Sequence, residues 1–360
     1  MSTVVQIGIM ANAGDAGDSA LGTDMGKLWI ERGPNEAWHT SLVSDDGQVI
    51  VGASGFGVTG AVQLSTDRAV TWSEIYPTGS VASIGGGAID ADGSHILLHE
   101  HQGSLWLSTD YGASWNDVHG GVRIDGTSYS FAMNADGSVM YYCDWFKRKV
   151  YGGGTWAEIT PDLGVGVTKM WYCIACDESG DNVVLGAFST GGRLYISHDG
   201  GGTWAETRPA GDVDRSWEKV SMSNDGQVIL ASTNSTAYLS VDGGGSWSVT
   251  AGGGEAVAVS PDGQYLLSGD EFELYESYDG GSTWAAVGWW SGAVWKDFQY
   301  ANMVACTDDG AVIAIAPLLN DHFWVRTRDG SRLLFDIKAC PGIDSGGSGY
   351  PFDIVGCRCE

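Results

Sequence analysis

The sequence predicts an all-β fold assembled from a repeated four-stranded unit, and three observations lead to that prediction. An eight-residue box of the form S-x-D-x-G-x-[ST]-W recurs along the chain, with Ser240 to Trp247 (SVDGGGSW) as its clearest copy. An Asp-Gly or Ser-Gly pair recurs roughly every 37 to 47 residues, the period of a four-stranded propeller blade. The chain also has 55 glycines and 16 tryptophans, which suits many tight turns and many aromatic anchors.

The box has four full copies and three weaker ones. The full copies are Ser108 to Trp115, Ser197 to Trp204, Ser240 to Trp247 and Ser277 to Trp284. The copy from Ser65 to Trp72 has lost its glycine, Tyr151 to Trp156 keeps only the end, and Thr327 to Gly330 is a worn copy.

One repeat unit reads as four strands, A to D. Strand A alternates around Val220 and Met222, and Asp225-Gly226 then signals a tight hairpin. Strand B, from Val228 to Ala231, is a continuous apolar run of the buried type, and strand C is short and edge-like. The box is the turn between strands C and D. The A–B hairpin recurs at Asp46, Asp92, Asp136, Ser179, Asp225, Asp262 and Asp309, each followed by Gly.

Seven hairpins paired with seven boxes predict a seven-bladed β-propeller of four-stranded antiparallel blades, with eight blades as the alternative. A single blade cannot bury both faces of its sheet, and closing a ring of blades does so. We expect the propeller to span 38–338. The N-terminal segment 1–37 either helps to close the ring or contributes to an eighth blade, and 339–360 is a Gly- and Cys-rich tail. The expected blades are about 38–76, 80–119, 127–160, 167–208, 215–250, 254–288 and 295–338.

The box, together with the L-Y-x-S that leads into it in two copies, resembles the Asp-box, or bacterial neuraminidase repeat, of sialidase-like β-propellers. Similar repeats occur in sortilin-like receptors, xyloglucanases, a photosystem II assembly factor and bacterial and phage surface proteins. The resemblance covers about residues 38–335 and implies the fold more strongly than a function.

In the resembling family the box is a structural device, and its chemistry agrees. The Asp and Ser can hydrogen-bond the backbone of their own turn, the Gly tolerates a left-handed conformation, and the Trp folds back as an apolar plug. The alternative, Ca²⁺ binding, is disfavoured because each turn supplies too few carboxylates. The residues assigned to this role are Asp67, Asp110, Asp199, Asp242, Asp279, Trp72, Trp115, Trp156, Trp204, Trp247 and Trp284.

The sequence does not favour an enzyme. A sialidase, as the resemblance implies, needs an arginine triad and an Arg-Ile-Pro motif before the first box, where this chain offers only Arg32. The alternative is a different glycoside hydrolase, which would need two carboxylates across a cleft. Its candidates on the expected loop rim are Asp212, Asp214, Asp270, Glu271 and Glu273.

The candidate ligand-binding residues are aromatic, together with one carboxylate. Aromatic residues stand at the start of strand A in several repeats, and two adjacent tryptophans stand in an expected D–A loop, where ring faces could stack on sugars. The alternative is that these rings pack between neighbouring blades. The candidates are Trp38, Tyr129, Trp171, Trp217, Trp289, Trp290, Trp295 and Asp214. His95, His99 and His101 are interpreted as surface residues rather than metal ligands.

Charge and cysteine content restrict the partners. The 18 Lys and Arg against 45 Asp and Glu give a formal net charge of -27, which disfavours nucleic acid and anionic membrane. We expect no membrane insertion, no cofactor and no metal. Four cysteines, Cys143, Cys173, Cys176 and Cys306, are interpreted as buried thiols. No secretory signal is recognisable at Met1.

The leading hypothesis is therefore a non-catalytic binding or scaffold propeller that presents its loop rim to glycans or proteins. A surface or virion component, assembled with other structural chains, is the favoured placement. A protein-assembly factor is a further alternative.

Overall fold

The computed structural model describes the chain from residue 28 to residue 327, with gaps. The described ranges are 28–36, 38–54, 62–79, 83–101, 103–120, 130–143, 148–152, 155–159, 161, 169–188, 192–251, 253–254, 256–269, 274–291, 294–297, 301–307, 312–317 and 321–327. Every regular element in these ranges is a β-strand. No helix in them has the length and apolar character needed to cross a bilayer.

The strands alternate with short turns in the order that the repeat predicts. In chain order they are β1 (Leu28–Glu36), β2 (Trp38–Val43), β3 (Ile50–Ser54), β4 (Val62–Ser65), β5 (Ser73–Ile75), β6 (Ile84–Ile89), β7 (Ile96–Glu100), β8 (Leu105–Ser108), β9 (Asn116–Asp117), β10 (Ser130–Met133), β11 (Val139–Cys143), β12 (Arg148–Gly152), β13 (Thr155–Glu158), β14 (Met170–Cys176), β15 (Val183–Phe188), β16 (Leu194–Ser197), β17 (Ala205–Thr207), β18 (Lys219–Met222), β19 (Ile229–Ser232), β20 (Ala237–Ser240), β21 (Ser248–Val249), β22 (Ala256–Val259), β23 (Leu266–Gly269), β24 (Leu274–Ser277), β25 (Ala285–Ser291), β26 (Val294–Asp297), β27 (Ala301–Cys306), β28 (Val312–Pro317) and β29 (Asp321–Thr327).

These strands form small antiparallel sheets in a β-propeller arrangement. Within the described ranges, five sheets are meanders of four consecutive strands, namely β2–β5, β6–β9, β10–β13, β14–β17 and β18–β21. The predicted set of seven equal blades is met only in part, because two further sheets depart from this form. One carries a fifth strand, β26, and the other has the order β1-β29-β28-β27, so that a strand from the N-terminal segment pairs with the last of the described strands.

Two sequence expectations fail at the fifth strand. Trp289 and Trp290 were expected in a loop, but both lie in β25, which pairs with β26 in a hairpin. Trp295, expected at the start of a strand A, lies instead in β26 opposite Trp290. The run Ala285 to Ser291 continues the ladder because apolar and aromatic residues suit a pleated strand.

The sheets contact one another through their faces and inner edges. The innermost strands are neighbours in the order β2, β6, β10, β14, β18, β22 and β27, and β27 contacts β2 again. Leu230 and Leu239 of one sheet, for example, pack with Val257 and Leu266 of the next. Each sheet therefore buries its apolar faces against its neighbours, as a repeat that is not stable alone must do.

Two groups of connections mark the two ends of the propeller. We call the end with the A–B hairpins and the boxes the turn face, and the opposite end, with the B–C and D–A connections, the loop face. Box and hairpin meet on the turn face through backbone hydrogen bonds, such as Gly243 N to Gln227 O at 2.9 Å and Gly200 N to Asp181 O at 2.9 Å.

The innermost strands of the sheets enclose a central channel. At one end of this channel, backbone hydrogen bonds join the A–B hairpins of successive sheets head to tail. Each bond runs from one hairpin N–H to the next hairpin carbonyl. The bonds are Asp45 to Ala91 (2.9 Å), Ala91 to Ala135 (3.1 Å), Ala135 to Glu178 (3.0 Å), Glu178 to Asn224 (3.1 Å) and Asn224 to Pro261 (2.8 Å). Pro261 accepts but has no N–H to donate.

A side-chain bond crosses this end of the channel. The Nδ2 of Asn224 donates to Oδ2 of Asp45 at 2.8 Å, and these residues belong to sheets that are not neighbours. The channel itself has about 500 Å³ of free space and is lined by the innermost strands of all seven sheets found in the described ranges.

Candidate binding site on the loop face

The boxes use their polar side chains inside their own turns. In the copy at Asp242, Ser240 Oγ and Ser246 N each donate to Oδ1 at 2.8 Å, and Ser246 Oγ donates to Oδ2 at 2.6 Å. Ser240 Oγ in turn accepts from Gly244 N at 2.8 Å, and Trp247 Nε1 donates to Gly244 O at 3.1 Å. The same bonds recur around Asp67, Asp110, Asp199 and Asp279.

The hydrogen bonds stabilise the ionised carboxylate. The side-chain bond from Ser246, then its backbone bond and the bond from Ser240, lower the pKa of Asp242 to about 2. Both oxygens are thus already engaged by the turn. The copy that lost its glycine keeps the left-handed backbone with ordinary residues, since Arg68 has φ 61° and Ala69 has φ 67°.

Two of the aromatic candidates are buried. Trp171 is 1% exposed and Trp217 is 2% exposed. Their rings contact Tyr195 and Tyr238 edge-on, each at 5.5 Å between centroids. Both rings also pack against residues of the preceding sheet. Neither ring offers a face to a ligand. Both rings instead pack between neighbouring sheets.

The remaining aromatic candidates cannot be placed as side chains. Trp38, Trp289, Trp290 and Trp295 lie in strands, but their side chains are outside the described part of the structure. Tyr129 lies outside the described residues altogether.

A polar pocket of about 450 Å³ opens on the loop face beside Asp214. One wall is formed by Asp214, Arg215, Ser216 and Glu218 of the D–A connection, and the other is the B–C turn from Thr233 to Thr236. The lining residues are Phe188, Asp214, Arg215, Ser216, Glu218, Thr233, Asn234, Ser235 and Thr236. All of these residues except Phe188 are polar or charged, so the pocket suits a polar ligand.

Backbone contacts fix the first wall. Arg215 N donates to Gly192 O at 3.0 Å, and Trp217 N donates to Ala187 O at 3.2 Å. The approach at Gly192 is close, because a Cβ there would lie 1.9 Å from Arg215 O. Glycine is therefore required for the two loops to meet.

An ion-pair cluster holds the same loop from the side. The Nη2 of Arg193 lies 3.1 Å from Asp212 Oδ1 and 2.9 Å from Asp214 Oδ1. Arg208 adds contacts to Glu206 at 2.8 Å and Asp212 at 3.0 Å. Arg193 is mostly covered, at 16% exposure, so its charge is screened less than that of a surface arginine.

The second wall is a compact turn. Thr233 is 5% exposed, and its N–H donates to Thr236 O at 2.9 Å. Its hydroxyl accepts from Thr236 N at 3.2 Å. Asn234 and Ser235 at the tip are exposed, so their amide and hydroxyl groups face solvent at the pocket edge.

Glu218 connects the pocket with the channel, since it lines both. Its N–H donates to Ser232 O at 2.8 Å. Burial raises the pKa of its carboxyl group, and the opposing charge of Lys219 lowers it by less. A partly buried carboxylate of this kind favours a ligand that donates hydrogen bonds or carries positive charge.

The two described carboxylates proposed for a hydrolase, Asp212 and Asp214, do not face each other as a catalytic pair. Asp212 and Asp214 share the guanidinium of Arg193 instead of facing each other across a cleft. Asp270, Glu271 and Glu273 lie outside the described residues. This arrangement does not favour the hydrolase alternative.

The histidine interpretation is wrong for His99, which is fully buried rather than on the surface. Its ring stacks on Phe131 at 5.7 Å, and burial, with smaller contributions from His101 and His119, lowers its pKa to about 3. His95 lies 2.6 Å from Asp90 in a hairpin.

Cys143, Cys173 and Cys306 are buried thiols and Cys176 is half-buried. Within the described ranges no group of three or more His, Cys, Asp or Glu is placed to hold a metal ion.

Sequence reasoning found Asp214 but missed Arg193, Arg215, Glu218 and the turn Thr233 to Thr236. Arg193 and Asp214 are 21 positions apart, and only the fold-back of the D–A loop brings them together. The run Thr-Asn-Ser-Thr was a readable signal, because four small polar residues between two strands predict an exposed turn.

No family model matches the chain, and no curated protein matches it. Its fold does resemble solved β-propellers. A structure of YCF48 from Cyanidioschyzon merolae covers 83% of this chain and 98% of its own length, with a TM-score of 0.57 and 15% identity. A GH74 xyloglucanase from Xanthomonas campestris covers 81% of this chain and 57% of its own, with a TM-score of 0.44 and 17% identity. At 15% identity the likeness to YCF48 shows the β-propeller fold alone.

Proposed function

We propose that this chain is a non-catalytic binding propeller that uses its loop face to hold a polar ligand, a glycan or a group on a protein surface. In this proposal it is a sialidase-like Asp-box propeller whose seven sheets count as seven blades. The continuous contacts of the seven innermost strands support that count. A place on an extracellular or virion surface, beside other structural chains, belongs to the same proposal.

The polar pocket beside Asp214 carries the proposal. Hydroxyl, amide and carboxylate groups converge there on about 450 Å³, and Asp214 is held in place by Arg193 at 2.9 Å. Groups of these kinds can hydrogen-bond a hydroxyl-rich ligand and fix its orientation. Within the described residues, Asp212 and Asp214 contact Arg193 rather than facing each other across a cleft, which favours binding and release of an unchanged ligand.

A glycan array with purified protein, followed by mass spectrometry of the eluted sugars, tests this. Asn234→Ala and Ser235→Ala remove exposed polar groups at the pocket edge, and Gln227→Ala, exposed on the turn face of the same sheet, is the matched control. We expect binding with intact sugars, weakened by about ten-fold or less in each pocket variant and unchanged in the control.

Two results would contradict the proposal. Shortened sugars in the eluate would make the protein an enzyme. Binding that is the same in the pocket variants and in the wild type would place the ligand elsewhere. If no glycan binds, pull-down of a protein partner with the same variants decides between a protein ligand and no role for the pocket.

A further inference from the structure

The pocket on the loop face contains one positive and one negative side chain that do not pair with each other. Arg215 and Glu218 both line it. Among the described residues, no ion pair or side-chain hydrogen bond reaches either charged group, and the bonds they make are through their backbone N–H groups.

The neighbouring charges are already paired. Arg193 holds Asp212 and Asp214, and Arg208 holds Glu206 and Asp212. Three carboxylates share these two guanidinium groups, so Arg193 and Arg208 are already engaged, whereas Arg215 and Glu218 make no such contact within the described residues. Lys219 follows Glu218 along the chain, but β18 carries it along the wall of the channel, which it lines, rather than into the pocket.

A partly buried charge without an ion-pair partner is costly unless a ligand pairs with it, and this applies to the half-buried Glu218, whereas Arg215 is exposed to solvent at the pocket. Burial raises the pKa of Glu218, and the charge of Lys219 lowers it by a smaller amount. Small polar groups of Thr233, Asn234 and Ser235 line the pocket beside the two charges.

We propose that the pocket takes a dipolar ligand, with an ammonium group on Glu218 and a carboxylate on Arg215. Arg presents a fork that matches a carboxylate, and charge-assisted hydrogen bonds are about twice as strong as neutral ones. The volume, about 450 Å³, suits one acidic amino-sugar unit or a dipeptide. The inference rests on the proposed function and specifies the ligand class for the same pocket.

Calorimetric titration with matched probes tests the charge requirement on the full chain. Muramic acid and L-alanyl-L-alanine carry both charges, N-acetylmuramic acid and N-acetyl-alanyl-alanine lack the ammonium, and the methyl esters of the first two lack the carboxylate. We expect a dipolar probe to bind at least about ten-fold more tightly than either of its blocked forms.

Two variants test which side chain binds the ammonium group of the probe and which binds its carboxylate. Glu218→Gln should abolish the difference between the dipolar and acetylated probes, and Arg215→Gln should abolish the difference between the dipolar and esterified probes. Glu158→Gln, on an exposed position of β13, is the control and should change neither. Circular dichroism confirms that each variant folds.

The outcomes separate this inference from the proposed function. If muramic acid alone meets the pattern, the ligand is a sugar, and if the dipeptide alone does, it is a peptide. If neutral glycans bind at the pocket and blocked probes bind as well as dipolar ones, the dipolar inference is wrong and the binding function stands. If neither glycans nor these probes bind, both fail.

Discussion

Five boxes on the turn face share one hydrogen-bond pattern, whereas the pocket described on the loop face depends on contacts between two particular connections. On the turn face, the box bonds at Asp242 recur at four other positions, and a backbone bond links each A–B hairpin to the next from Asp45 to Pro261. On the loop face, the described pocket depends on one fold-back at Gly192 and one ion-pair cluster at Arg193. The repeat therefore stabilises one end and leaves the other free to vary in shape.

In a repeat protein of this kind, we expect binding residues among those that the repeat itself does not use. Residues that recur in every unit are engaged by the unit itself, as the aspartates of the boxes are. Residues that occur once, such as Arg193 and Glu218, are not required by the repeat. Loops carried by a rigid scaffold are where binding residues concentrate.

The largest expected effect tests whether a repeated residue at the loop-face end is structural. Trp217 is 2% exposed and contacts Tyr238. Trp217→Ala should lower the free energy of unfolding by about 3 to 5 kcal/mol, because it removes a large buried ring and leaves a cavity. Urea unfolding measures this, and Asn234→Ala, exposed on the same face, should cost less than about 0.5 kcal/mol.

If Trp217→Ala instead kept its stability and lost ligand binding, the ring would belong to the site. The comparison between repeated structural residues and unique binding residues would then fail at this end of the molecule.

As pH falls, folding stability should be lost in two steps, first through His99 near the loop face and then through the box aspartates on the turn face. His99, toward the loop-face end of β7, has a pKa lowered to about 3 by burial. Its charged form is disfavoured in the fold, so protonation of the unfolded chain reduces stability as pH falls from about 6.5 to about 3, by on the order of 4 kcal/mol. The box aspartates have lowered pKa values, so the stability they contribute is present above about 3.8 and is lost as pH falls through their folded values.

Urea midpoints at pH 7, 5, 4 and 3 check this assignment. His99→Leu should make the urea midpoint nearly independent of pH between pH 6.5 and 4. The loss of stability below pH 4 should remain. An unchanged slope above pH 4 would mean that another group is responsible for it.

Much of the fold could be predicted from the sequence, because several independent signals in each repeat indicate the same structure. Asp-Gly hairpins, apolar B strands and the boxes each point to the same four-stranded unit. The regular sheets follow where these signals agree. The prediction of equal blades failed at Trp289 to Trp295, where the ladder continues into a hairpin that no box or Asp-Gly pair marks.

The candidate site was less predictable, for a physical reason. Its residues come from three connections that the fold brings together, and no local pattern joins Arg193 to Asp214 or Glu218 to Thr233. Aromatic residues at the start of strand A looked like a binding series by composition. The burial of Trp171 and Trp217 depends on the neighbouring sheet, which a single repeat does not reveal.

The smallest expected effect compares two glycines with the same left-handed backbone on opposite faces. Gly244 in a box has φ 90°, and a Cβ there would lie 2.0 Å from Ile196 Cδ1, whereas Gly211 has φ 71° and nothing within 4 Å. Gly211→Ala should cost about 1 kcal/mol from backbone strain alone, and Gly244→Ala about 2 kcal/mol, because the Ile196 side chain must also move. Equal losses in urea unfolding would mean that the box is no more tightly packed than the loop face. A larger loss at Gly211 would reverse the comparison, since the loop-face connection would then be the more constrained of the two.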